Sequence, residues 1–132
     1  MTKIVLDTNV IVSAILSPKG ACSKIMDLVF AGEMQACYSA DILAEYKDVL
    51  FRSTLDLNSE KRKEFFEVIQ KAGTLIEPAV SDMKLPDESD RTFYDTAKES
   101  GAILITGNVK HYPVEPFIMT PSEFFHSEME RK

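Results

Sequence analysis

Three acidic side chains, Asp7, Glu45 and Asp90, lie far apart in a chain of 132 residues, yet each occupies a position suited to chemistry. Asp7 ends the run Lys3-Ile4-Val5-Leu6, whose consecutive apolar residues suit a strand buried on both faces of a parallel sheet. In open α/β sheets the carboxyl ends of strands border the ligand crevice, and Thr8 and Asn9 follow with side chains able to bond nearby backbone. Capping of the next helix is the other reading of Asp7. Glu45 falls in a helical pattern over 40–51 whose apolar stripe is Ile42, Leu43, Tyr46, Val49 and Leu50. At about 100° per residue it lies about 40° from Val49, whereas Asp41 and Asp48 fall about 80° to 100° away. Glu45 is thus the acid of that helix closest to the buried face, or else a glutamate at the stripe's border reaching into solvent. Asp90 shares a helix face with Phe93, Tyr94 and Ala97, while Asp95 is rotated about 140° from it. Carboxylates gathered in one cleft raise each other's pKa and are unfavourable without cations. Such hard oxygen donors suit Mg2+ or Mn2+, which keep several waters and accept phosphate oxygens.

The intervening sequence supplies elements able to bring these residues together. Helical patterns cover 10–16, 21–31, 40–51 and 60–72, with Ser39 and Asn58 or Ser59 as caps and Gly32 and Gly73 as stops. Strands are expected at 34–38 and 74–77, the latter ended by Pro78. The acidic stretch from Asp87 to Asp95 opens a helix that stops at Gly101, and part of its acidity is ordinary chemistry at a helix start. Ala102 to Thr106 repeats the opening pattern: a β-branched strand leading to Thr106, Gly107 and Asn108, so a second strand end carries an amide. Residues 109–115 read as a loop and 117–119 as a last short strand. Thr120-Pro121-Ser122-Glu123 carries a capping box that starts a terminal helix.

The totals favour one domain over 1–132: 45% of residues are hydrophobic and no linker divides the chain. No apolar run approaches the roughly 20 residues needed to cross a bilayer, and the N-terminus reads as a strand, so a cytoplasmic protein is expected. Cys22 and Cys37 lack metal-type spacing and read as small apolar residues. The formal charge of -6 argues against a protein that coats nucleic acid with a basic surface. A nuclease is not excluded, because bound cations reverse the potential that a phosphate meets. Lys47, Arg52, Lys61, Arg62 and Lys63 could line a groove for a phosphodiester backbone, although a solvated basic face is the commoner use of such residues.

Taken together, LDTNV at the start, Glu45 within AEY, SDRTFYDTA, ITGNVKHYP and the ending MTPSEFF resemble the PIN domain family. Within it they are most similar to the toxins of bacterial and archaeal toxin-antitoxin systems, over nearly the whole chain. The resemblance implies a three-layer α/β/α sandwich with a central parallel sheet, often dimeric, carrying a metal-dependent endoribonuclease site and partnered by an antitoxin protein. It implies that Asp7, Glu45 and Asp90 are the first three family acids, and that Asn108 stands where the family usually has Asp. It also implies supporting polar roles for Asn9 and Thr106. An amide keeps an oxygen donor but brings no charge, so a second cation would need Asp95 or the substrate phosphate to compensate.

The expected reaction is hydrolysis of an RNA phosphodiester by metal-activated water. A module of the same fold that binds RNA or a protein without cutting is the main alternative, and Asn108 is the residue that favours it. A haloacid-dehalogenase-type site would need a second Asp at position 9, where this chain has Asn. A receiver-type site would need an acidic pair and a later Lys arranged differently.

Overall fold

The computed structural model of the chain describes residues 1–52 and 57–130. Its strands are β1 (Thr2–Leu6), β2 (Met34–Tyr38), β3 (Thr74–Leu75), β4 (Ile103–Ile105) and β5 (Ile118–Met119). The helices are α1 (Thr8–Leu16), α2 (Ala21–Phe30), α3 (Ala40–Leu50), α4 (Ser59–Ala72), α5 (Arg91–Ser100) and α6 (Pro121–Glu130). All strands are parallel, in the order β3-β2-β1-β4-β5.

Ile4, Val5 and Leu6 are all at most 1% exposed, which places β1 at the centre of the sheet with both faces covered. Helices flank the sheet on both sides: α1, α2 and α6 pack with one another, and α3, α4 and α5 form the other layer. The core between them is filled by Ile11, Ile25, Ile42, Phe65, Phe93 and Leu104, all essentially solvent-free.

Local chemistry explains where the elements begin and end. The Ser39 hydroxyl accepts the Ile42 N–H at 3.1 Å, capping α3, and the Asn58 side-chain Oδ1 accepts the N–H groups of Glu60 and Lys61, capping α4. Thr120 and Glu123 exchange the reciprocal bonds of a capping box, at 3.0 and 3.1 Å. Gly101 closes α5 with φ of 72°, the left-handed conformation that a Cβ disfavours.

Three details depart from the sequence pattern. The third strand stops at Leu75 instead of continuing to Glu77, because it lies at the sheet edge with both residues exposed. A 3-10 turn, Val109–His111, forms inside the expected loop. Asp90 ends a second 3-10 turn, Glu88–Asp90, and sits at the N-cap position of α5, one step short of the helix where periodicity put it.

Leu104 lies on β4, fully buried between the layers. Leu104→Ala should cost about 3 kcal/mol of unfolding free energy, read as a lower midpoint in urea denaturation; a loss under about 1 kcal/mol would contradict this packing.

Candidate active site

The strand order reverses at β1, which has β2 on one side and β4 on the other. In open α/β sheets such a point, beyond the carboxyl ends of the strands, is where the ligand crevice lies. Asp7 stands at this point directly after β1, 8% exposed, with its N–H bonded to the Ile105 carbonyl at 3.0 Å. Although it precedes α1, its side chain makes no capping hydrogen bond. Instead Oδ2 accepts from the Thr106 hydroxyl and from the Tyr112 phenol, both at 2.9 Å. Thr106 is fully buried directly after β4, and its own oxygen accepts the Asn108 N–H at 3.0 Å.

Glu45 reaches the same region from α3. It is half-buried, and its Oε2 accepts a hydrogen bond from the Thr8 hydroxyl. The next residue, Tyr46, is fully buried and donates its phenolic hydrogen to the Leu6 carbonyl, tying α3 to the end of β1. Its ring meets Phe65 edge-on, with centroids 5.8 Å apart. Asp90 arrives from the head of α5. The Ser39 and Thr92 hydroxyls, 2.7 Å apart, join the starts of α3 and α5, the two helices that carry Glu45 and Asp90.

The charges of the three acids influence one another. Burial, followed by the charges of Asp7 and Asp87, pushes the Asp90 carboxyl from 3.8 up to about 6; Glu45 adds to the rise and His111 opposes it. Glu45 is raised as well, by burial first and then by Asp7 and Asp48, against the lowering effect of the Thr8 hydrogen bond. Among the described residues no three His, Cys, Asp or Glu side chains are gathered as a ready cage for an ion. The hydrogen bonds just described hold the Asp7 and Glu45 carboxylates instead. The donor set nonetheless fits a small hard cation, because all three groups offer oxygen. In addition, Asp90 Oδ2 is buried without a hydrogen-bond partner, and the His111 ring nitrogen is 3.8 Å away. A buried carboxylate oxygen in that state is costly unless something positive meets it.

The remaining sequence candidates fall into three groups. Asn9 and Asn108 are at the rim: the Asn9 side-chain oxygen accepts the Gly107 N–H at 3.1 Å, while the Asn108 side chain is exposed. Asp95 is more deeply buried than its helical angle suggested, at 4% exposure, because the irregular segment 76–86 crosses that face of α5. Its Oδ2 accepts the Ser81 N–H at 3.2 Å and lies 3.9 Å from the Arg91 guanidinium, and Asp95 lines one cavity together with Glu45. Of the basic residues, Arg52 pairs with Asp48 at 2.7 Å, and Arg62 donates to the Leu50 carbonyl and sits 5.5 Å over the Phe51 ring. Lys47 and Lys61 are exposed. Cys22 and Cys37 are half-buried and buried, and burial pushes both thiols up, as expected of apolar fillers.

Sequence reasoning missed Tyr112, Thr8 and Tyr46 as supports of the acids. The signal for Tyr46 was its place beside Glu45 on the apolar stripe. Nothing in spacing alone could have aimed Tyr112 at Asp7, 105 positions away.

The chain belongs to the PIN domain family, whose model matches residues 3–110. A relative, the protein MJ1680 of Methanocaldococcus jannaschii, is 34% identical over 109 residues, spanning 80% of this chain and 70% of its own. Among solved structures, VapBC2 from Rickettsia felis, bound to a DNA fragment from its promoter, has a chain of similar fold. Its TM-score is 0.56 at 17% identity, covering 90% of this chain and 97% of that one. PIN domains are generally nucleases, which supports reading the crevice as that of a hydrolase acting on nucleic acid.

The raised Asp90 carboxyl has a measurable effect on stability. Between pH 3.8 and about 6 the folded protein binds more protons at Asp90 than the unfolded chain does, so stability falls as pH rises through that window and stays lower above it. In chelator, Asp90→Asn should therefore melt at a higher temperature than the parent at about pH 7, with the gain vanishing near pH 4. An equal shift at both pH values would contradict the assigned electrostatics.

Proposed function

We propose that this PIN domain is a Mg2+- or Mn2+-dependent endoribonuclease, hydrolysing RNA phosphodiester bonds as the toxin of a toxin-antitoxin pair. The observation that carries the reading is the mutual electrostatic field of Asp7, Glu45 and Asp90 at the carboxyl end of β1. Asp7, Glu45 and Asp90 would hold the ion, and a divalent cation there supplies a water of lowered pKa and neutralises charge developing on the phosphate. Thr106 and Tyr112 orient Asp7, while Thr8 orients Glu45. Tyr46 keeps α3, and with it Glu45, in register with the end of β1. Asn108, exposed at the rim, offers an amide to substrate phosphate or to a second ion. The exposed Lys47, Lys61 and Lys63 could meet an RNA backbone, whereas Arg52 and Arg62 are engaged within the protein.

The likeness to a VapBC2 chain supports a cognate antitoxin as partner. A cytoplasmic homodimer is part of the same reading; among the described residues no helix is long and apolar enough to cross a membrane. A second reading is favoured by Asn108, which removes a charge from the crevice: a PIN-fold module that binds RNA or a protein and cuts weakly or not at all.

Purified protein incubated with labelled RNA separates the two. The nuclease reading expects cleavage with Mn2+ and none with chelator. Asp7→Asn should reduce the rate by about 100-fold or more with an unchanged circular dichroism spectrum. Cleavage by Asp7→Asn at the parental rate would refute the assignment. Asn108→Asp should tighten Mn2+ binding in calorimetry, and unchanged binding would place residue 108 outside the ion's reach.

A further inference from the structure

Two hydroxyl groups from one stretch of chain converge on a single oxygen of Asp7. Thr106 Oγ1 and Tyr112 OH each lie 2.9 Å from Oδ2. A carboxylate oxygen offers about two lone-pair sites, so Oδ2 is saturated. No hydrogen bond from the described residues engages Oδ1, which leaves that oxygen for whatever enters the crevice. On Glu45 a single hydroxyl, that of Thr8, donates to Oε2.

Tyr112 is built to hold this position. It is 4% exposed, and its N–H is fixed to the Val109 carbonyl at 3.1 Å at the close of the 3-10 turn. A donor aimed at a charged acceptor makes one of the stronger hydrogen bonds a side chain can form.

We propose that Tyr112 is a positioning residue which, with Thr106, restricts Asp7 to one-oxygen coordination and thereby sets the preference of the crevice for Mg2+ and Mn2+ over Ca2+. Ca2+ takes about six to eight oxygens and often grips a carboxylate through both, while Mg2+ is satisfied by about six single oxygens in a small octahedron. A carboxylate with one oxygen tied to two hydroxyl groups can supply the second geometry without rearrangement. It can supply the first only by breaking two hydrogen bonds inside the protein. The inference rests on the cation-binding reading above and adds which ion the crevice admits, and through which residue.

The test is calorimetric titration of the full chain with Mn2+ and, separately, with Ca2+, for the parent and for Tyr112→Phe, which keeps the ring and removes only the donor. The parent should bind Mn2+ more tightly than Ca2+, and Tyr112→Phe should lower that ratio of affinities by about tenfold. Thr106→Val removes the other donor to the same oxygen and should shift the ratio in the same direction, which keeps the test decisive if Tyr112→Phe folds poorly. A residue that merely packed the loop would lower both affinities together and leave the ratio where it was. A ratio unchanged within about twofold in a folded variant overturns the role of Tyr112 while leaving the cation site standing. Equal binding of the two ions by the parent does the same, and failure of the parent to bind either ion overturns both readings.

Discussion

The electrostatic coupling of Asp7, Glu45 and Asp90 near the end of a buried strand is the constraint on which the site depends. Charges of like sign at short range in a partly desolvated crevice can be relieved only by hydrogen-bond donors, by protons or by a cation. The protein uses the first two. Hydroxyl groups of Thr8, Thr106 and Tyr112 are spent on Asp7 and Glu45, and Asp90 is driven toward its protonated form. The buried Asp90 oxygen left without a hydrogen bond is where that relief is incomplete. Sites tuned for function are often arranged this way, with a local rule of stability broken and supported from elsewhere in the fold.

The support is visible in the surrounding layers. Tyr46 locks α3 to the last carbonyl of β1, and Ser39 with Thr92 joins the heads of α3 and α5, so the acids are carried by elements that are mutually braced. Arg91 holds the irregular segment 76–86 against the start of α5 through the Ser81 and Met83 carbonyls, at 2.8 and 2.6 Å, and pairs with Glu88 at 2.6 Å. These contacts fix the turn that presents Asp90. They also engage Oδ2 of Asp95, whose Oδ1 is, like Asp90 Oδ2, buried without a hydrogen-bond partner.

Much of this was legible before any coordinates, because the strongest signals were local. The runs ending at Leu6 and Ile105 announced buried parallel strands, the caps at Ser39 and Thr120 were readable from residue type alone, and Asn58 was one of the two candidates for the α4 cap. Helical angle correctly set Glu45 apart from Asp41 and Asp48, which are exposed while it is half-buried. The same reasoning underrated the burial of Asp95, since a helical wheel knows nothing of an irregular segment laid across it. The phenol of Tyr112 was equally invisible: its partner is fixed by how the turn after β4 folds back over β1, which is a tertiary fact. Asn108 was singled out by its departure from the family's acid, and its exposed rim position is consistent with a residue that answers to ligand more than to the fold.

The claim on which the account turns is that a divalent ion is the natural counter-charge of these three acids. Anomalous diffraction from a crystal soaked in Mn2+ addresses it most directly. The account predicts a peak bounded by oxygens of Asp7, Glu45 and Asp90. Saturating Mn2+ that leaves this crevice without a peak, or that appears only on surface acids elsewhere, would contradict it.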